Sequence, residues 1–192
     1  MYGTIIIKDN IAGAIKHLSE CKKLLKENGN LFVMVQSEID TTGDVTADFF
    51  DVVYAADKEG YSYINTIVVP TEEHTASELP DNVLYIVWLA QTNKQFFNKD
   101  AIREKHIWKD VEWGKRAKNY NPKGKDPGNV WIPTIDDGKA NITDHILLDF
   151  PAIINRLVIS TKQPNYKTLL ISNQMVKDSL LPGDVDIRFV ET

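Results

Sequence analysis

Cysteine occurs once in the 192 residues, Gly-x-Gly never, and no apolar run comes near the length of a membrane span. Cys21 alone excludes an internal disulfide and a zinc site built on several cysteines. Without Gly-x-Gly there is neither a dinucleotide fingerprint nor a Gly-rich phosphate cradle. His17, His74, His106 and His145 show no His-x-x-x-His spacing, so no metal site is expected. No Gly-x-Ser-x-Gly elbow is present, and Cys21 sits on an apolar stripe with no partner base beside it. Asp136-Asp137 and Glu72-Glu73 are adjacent pairs that point apart in extended chain, which suits loop solvation rather than acid–base work. A membrane helix needs roughly 20 apolar residues. The start, Met1 to Asp9, lacks the basic and apolar regions of a signal peptide. A cytoplasmic protein with no membrane partner is expected.

What is present is a concentration of positive charge on an acidic chain. The net charge is −5. Between Lys94 and Lys125, however, ten Lys and Arg face four Asp and Glu, a local +6 that leaves −11 on the rest. Within this stretch and just beyond it, Trp113 to Pro133 combines cations, amides, aromatics and two Pro-containing turns. Such a segment cannot build an apolar core or continue a helix. It reads as an exposed loop suited to nucleic acid, with Lys115, Arg116, Lys118, Lys123 and Lys125 as phosphate contacts and Asn119 and Tyr120 beside them. Val130-Trp131-Ile132 reads instead as a short buried segment, which favours packing for Trp131. The competing reading of any charge run is a solvated face.

Along the chain, Ile11, Ala14, Ile15, Leu18, Cys21, Leu24 and Leu25 predict a helix from Asn10 to Glu27. Asp9 or Asn10 would cap it, and Asn28-Gly29 would end it. Leu31 to Val35 is a strand buried on both faces. A second helix is expected over Thr46 to Lys58, stopped by Gly60. Tyr61 to Val69 and Val83 to Ala90 follow as two central strands. Asn98 to His106 reads as a short helix in a loop-rich insertion spanning 91–133. Pro151 opens a helix running to about Thr161. Thr168 to Ser172 and Val185 to Val190 are weaker strands, the second of edge type. The order predicts one α/β domain over 1–192 with a sheet of mixed direction.

The order of these segments also resembles a known family. Leu24-Leu25-Lys26-Glu27-Asn28-Gly29 followed by Leu31 to Val35, then Asn82 to Lys94, then Asn119 to Trp131, is similar to the DNA methyltransferases that act on exocyclic amines, adenine N6 or cytosine N4. Pro127-Gly128-Asn129-Val130-Trp131 is the most specific part of the match. His145, then Phe150-Pro151 and a helix through Arg156, resembles the family element beside the cofactor, so these three residues are its remnant. The resemblance covers roughly residues 18–162. It implies a Rossmann-like methyltransferase sheet with helices on both faces, incomplete in this chain. It also implies S-adenosylmethionine as cofactor wherever the activity survives, DNA as substrate, and the site-specific methylation used in restriction–modification.

The departures from that family fall on its chemistry. The Asp/Asn-Pro-Pro-aromatic motif should precede the first helix, yet Ile5-Ile6-Ile7-Lys8-Asp9-Asn10 stands there and the chain contains no Pro-Pro. That motif accepts hydrogen bonds from the target amine and stacks on the flipped base. The Gly-rich cofactor motif should follow Gln163-Pro164, where Tyr166 to Gln174 carries neither glycine nor acid. Met1 to Asp9 and Thr168 to Thr192 either replace the lost strands or cover the sheet edges. The resemblance with these losses predicts a non-catalytic DNA- or partner-binding protein, with no catalytic residue and no cofactor. The alternative is one part of a split, or still active, S-adenosylmethionine-dependent enzyme. A protein partner or homodimer belongs to either.

Overall fold

The computed structural model describes residues 1–36, 46, 48–71, 83–104, 106, 120–132, 147–174 and 181–190. Its centre is β1 (Tyr2–Lys8), a strand that the sequence reading left unassigned. Ile5, Ile6 and Ile7 are all fully buried, because β1 has a neighbour on each edge and helices on each face. The chain continues through α1 (Ile11–Leu24), β2 (Leu25–Val35), α2 (Asp48–Lys58), β3 (Ser62–Pro70) and β4 (Val83–Ala90). After a 3₁₀ turn at Lys99–Ile102 come α3 (Phe150–Thr161), β5 (Thr168–Ser172) and β6 (Val185–Phe189). The sheet order is β3-β4-β2-β1-β5-β6. β1, β2, β5 and β6 are parallel, while β4 runs antiparallel to both β2 and β3. Mixed direction and helices on both faces match the expected architecture.

Side chains on β1 and β2 divide by the two-residue period of a strand. Ile5, Ile7, Leu31, Val33 and Val35 face α1 and α2, and Ile6, Phe32 and Met34 face α3. Both faces are covered, so these strands read as continuous apolar runs. Each such side chain contributes about 1.5–3 kcal/mol by leaving water. Helix α1 turns Ala14, Leu18 and Cys21 inward, in agreement with the packing role read for the lone cysteine. Burial pushes the Cys21 thiol up to about 12, so it is inert as a nucleophile.

Four expectations are corrected. Helix α1 ends at Leu24, not Glu27, because Leu25 is already extended and begins β2. Asn28-Gly29 is therefore strand rather than cap. Gly29 is required there because a Cβ would come within 2.9 Å of the Gly3 carbonyl oxygen on the adjoining strand. Strand β3 is an edge strand, and its exposed Tyr63 and Asn65 mark the open side. β5 is central and buried at all five residues, so it is not a weak strand. Asn98 to His106 forms only one 3₁₀ turn, capped by the Asn98 side chain, and no α-helix among its described residues. The alternative left open for the termini is decided in the described part: 1–9 and 168–190 supply β1, β5 and β6. Gly60, at φ +73°, does end α2 as expected, and Lys22 Nζ donates to the Glu59 and Gly60 carbonyls beside it. None of the described helices is long and apolar enough to cross a membrane.

Two polar links tie the strands to their surroundings. Thr4 and Thr161 join by their hydroxyls at 2.7 Å, fixing the end of α3 over the start of β1. Buried Asn30 accepts from the Trp88 indole at 2.8 Å and donates to the Phe96 carbonyl at 2.8 Å. Removing one member of such a network strands its buried partners without water. Asn30→Ala is expected to lower unfolding free energy by about 2–6 kcal/mol, from two orphaned groups at ~1–3 kcal/mol each. In a Trp88→Phe background the same change should cost at least ~1 kcal/mol less, measured by urea denaturation of the four proteins.

Candidate functional site

In an open sheet of this kind, ligands sit outside the carboxyl ends of the strands where the chain order reverses. Here β1 leads through α1 to β2 on one side, and β5 pairs with β6 on the other. The crevice therefore lies beyond Lys8 and Ser172. Because Thr161 is held at the opposite end of β1, the beginning of α3, Phe150-Pro151, points to the crevice end of the sheet. Phe150 and Pro151, two of the three residues named for the cofactor side, form the first turn of α3. His145 lies outside the described residues.

At the end of β1 stands Asp9, a residue that the sequence reading treated only as a possible cap. Its side chain is 6% exposed. Oδ1 accepts from the Asn10 backbone N–H at 2.8 Å, and Oδ2 lies 3.6 Å from His17 Nε2. The capping itself is done by Asn10, whose side chain accepts from Gly13 N–H at 2.8 Å. Asp9 is folded back along α1, over Gly13, where a Cβ would lie only 2.6 Å from its carboxyl carbon. Glycine at i+4 and histidine at i+8 on the same helix face were the signal for this arrangement. At the end of β5, Asn173 N–H donates to the Lys8 carbonyl at 3.0 Å, and the Ser172 hydroxyl accepts from Gln174 N–H at 3.0 Å. The strand end thus spends its own donors internally, and no glycine opens the backbone between Ser172 and Gln174. Among the described residues no cluster of His, Cys, Asp and Glu is arranged to hold a metal.

The described part of the basic stretch, 94–104 and 120–125, lies elsewhere, beside α3 and the outer edge of β3. Lys115, Arg116, Lys118 and Asn119 lie outside the described residues. Tyr120 packs its ring against His106, with centroids 4.7 Å apart. Lys123 and Lys125 are more than surface cations. Lys123 reaches Asp100 at 2.6 Å, and Lys125 lies 3.5 Å from Glu104. Arg103 joins Asp100 at 2.6 Å, Lys99 joins Asp126 at 2.7 Å, and Arg156 joins Glu104 at 2.8 Å. Hydrogen bonds from Lys123 and then Arg103 hold the Asp100 carboxyl down at about 2. Asp100 and Glu104, which the charge count subtracted, are therefore the direct partners of its cations.

Backbone pairing fixes the same segment. Glu104 and Lys125 exchange hydrogen bonds at 3.1 and 2.7 Å, and Gly124, at φ +104°, lets them approach: a Cβ would sit 2.5 Å from the Glu104 carbonyl. Further on, Val68 N–H donates to the Asn129 carbonyl and Trp131 N–H to that of Val68, so the loop caps the edge strand. Trp131 is buried in the core, with the Arg156 guanidinium 4.9 Å from its ring, in agreement with the packing role read for it. Residues 120–132 are a stapled loop rather than a free arm.

Known proteins share this architecture. The DNA methylase family model of the N6/N4 type matches residues 7–185. A candidate DNA modification methylase from Thermus thermophilus superposes with a TM-score of 0.56 at 14% identity, over 99% of this chain and 80% of that one. Its complex with S-adenosyl-L-methionine gives 0.54 at 12%, over 88% and 70%. The cytosine-N4-specific PvuII DNA methyltransferase gives 0.54 at 12% identity, over 88% of this chain and 67% of that chain. At these identities the structures share the fold.

Gly13→Ala forces the Asp9 carboxylate outward while adding helix propensity worth about 1 kcal/mol. It should therefore stabilise an Asp9→Ala protein more than the wild type, by at least ~1 kcal/mol in a double-mutant cycle. For Asp100, the folded-state pKa is depressed, so its stabilising contribution is complete above the unfolded value of ~3.9 and disappears as pH falls towards 2. Asp100→Asn should flatten the acid limb of the stability profile between about pH 4 and 2 and leave the limb above about pH 5 parallel to wild type.

Proposed function

The chain belongs to the DNA methylase family of the N6/N4 type, and from that premise we propose that it binds DNA without transferring methyl groups. The observation that carries this reading is the state of the crevice. The carboxylate at the end of β1 is turned back over α1 and engaged by Asn10 and His17, and no Pro-Pro-aromatic run follows it. A target amine needs an exposed acceptor and a stacking ring at that place. S-adenosylmethionine fits the opposite strand end poorly. Ser172-Asn173-Gln174 has no glycine to let a ligand approach the backbone, and its donors are spent on Lys8 and Ser172. Phe150 and Pro151 remain as the relic of the cofactor side.

DNA contacts fall to Lys115, Arg116, Lys118 and Asn119 first. Lys123 and Lys125 contribute less, since each begins from a carboxylate partner. A second reading is a complex in which another chain brings the missing motifs. It is favoured by the exposed aromatics Phe50, Tyr54 and Tyr63, which border a groove of 430 Å³ beside α2 and β3.

Calorimetry with S-adenosylmethionine should show no binding, and labelled methyl transfer to duplex DNA should be absent. Anisotropy with the same duplex should show binding that weakens at least about tenfold between ~50 and ~200 mM salt. Replacing Lys115, Arg116 and Lys118 by Glu should abolish it. Clear cofactor binding by the isolated chain would overturn the non-catalytic reading. Methyl transfer that appears only after adding a second chain would select the complex.

A further inference from the structure

Between the free edge of β3 and the stapled loop is a cleft of 320 Å³, separate from the crevice at the strand ends. Trp88 and Phe97 form its aromatic side, with ring centroids 4.5 Å apart. Asn65 and Asn129 also line it. Each amide spends one end on the backbone of Thr66: Asn65 Oδ1 accepts from its N–H at 2.8 Å, and Asn129 Nδ2 donates to its carbonyl at 3.0 Å. Among the described residues this leaves the Asn65 NH₂ as a donor and the Asn129 side-chain carbonyl as an acceptor, both anchored on one residue. Lys99 and Asp126 complete the lining, joined at 2.7 Å.

These parts have complementary chemistry. An aromatic side takes the face of a planar ring. A fixed amide donor and acceptor read the edge of a heteroaromatic ring. A lysine at the same cleft takes a phosphate. The volume lies at the lower end of small-molecule sites, about 300–1,000 Å³.

We propose that this cleft is a nucleotide site, with a base against Trp88 and Phe97, its edge on Asn65 and Asn129, and its phosphate on Lys99 in place of Asp126. The exchange moves no covalent bond: one ion pair is broken and another made. Asp126 keeps a hydrogen bond from Gly128 N–H at 3.1 Å and lies 3.9 Å from Arg103. It therefore has somewhere to go when Lys99 is taken. A free deoxynucleotide and one residue of a single strand offer the same chemistry. The site goes beyond the DNA-binding reading, because a free nucleotide satisfies it alone.

The test has two arms. In the first, calorimetry compares deoxyadenosine monophosphate with deoxyadenosine, on wild type and on Asp126→Asn, which retains an acceptor for Gly128 but frees Lys99. The monophosphate should bind the variant severalfold tighter than wild type, with the nucleoside unchanged. In the second, a short single-stranded oligonucleotide is compared with the same strand carrying abasic residues. Wild type should prefer the base-bearing strand roughly tenfold, and Asn65→Leu should erase that preference while leaving the abasic strand's affinity intact.

Monophosphate binding with no preference among strands identifies the free nucleotide as the source, and the converse identifies a strand. Absence of both overturns the site. Strand binding that ignores the bases while falling with salt, with no monophosphate binding beside it, overturns the site and leaves the DNA-binding reading standing. Nucleotide binding with no duplex binding does the reverse. Because the monophosphate titration and the abasic comparison can both be made on the wild-type chain, together they decide the matter even if a variant folds poorly.

Discussion

The structure depends on β1 being hydrogen-bonded along both edges and buried on both faces. Three consecutive isoleucines in a seven-residue strand meet that demand. Ile5 and Ile7 seal one layer and Ile6 the other, so a single strand ties the two cores together. The pairings to β2 and β5 set the register of the remaining parallel strands, and hence where the chain order reverses. The position of the crevice follows from this. So does its content, because whatever follows Lys8 and Ser172 must stand there.

That dependence separates what the fold asks of the sequence from what a ligand site asks of it. The layers need apolar volume at fixed periods, and many sequences supply it. The crevice needs particular atoms at particular points. Asp9 stands at the end of β1, and Gly13 and His17 give its carboxylate a berth along α1. Asn173 and Ser172 likewise satisfy themselves and their neighbours. Each group is a sound structural solution by the rule that buried polar atoms find partners.

Periodicity made β2, α2, β4 and α3 legible, and Val130-Trp131-Ile132 announced a buried tryptophan. β1 was not legible, because three isoleucines beside the chain start give no alternation and could as well have covered an edge. The end of α1 was misplaced because the apolar stripe runs unbroken from helix into strand through Leu24 and Leu25, and only backbone geometry separates them. Gly29 carried the clue in disguise: the same residue that caps helices also allows two strands to crowd. The edge position of β3 was visible in its polar residues, Tyr63, Asn65 and Thr66, but was outweighed by Ile67 to Val69. At the candidate site, net charge over a window concealed the pairing. Counting Asp100 and Glu104 as subtractions hid that they bind Arg103, Lys123, Lys125 and Arg156 one by one.

Those pairings change what a basic segment means. A cation held by a carboxylate is available to phosphate only by exchange, so local charge overstates attraction for any polyanion. In return residues 120–132 are held in place: Gly124 and the Glu104–Lys125 pairing fix one part, and Val68 and Trp131 fix the other. An ordered loop loses less conformational freedom on binding, which offsets part of the cost of separating ion pairs. It also gives the edge strand β3 a cover, so hydrogen-bonding groups on the sheet's open side are withdrawn from edge-to-edge association. Within the segment that looked least structural in the sequence, Asn129 to Trp131 thus pair with the sheet edge at Val68. The positions of Lys123, Lys125 and Asn129 rest on that structural role, because Trp131, Gly124 and β3 hold the stretch that carries them.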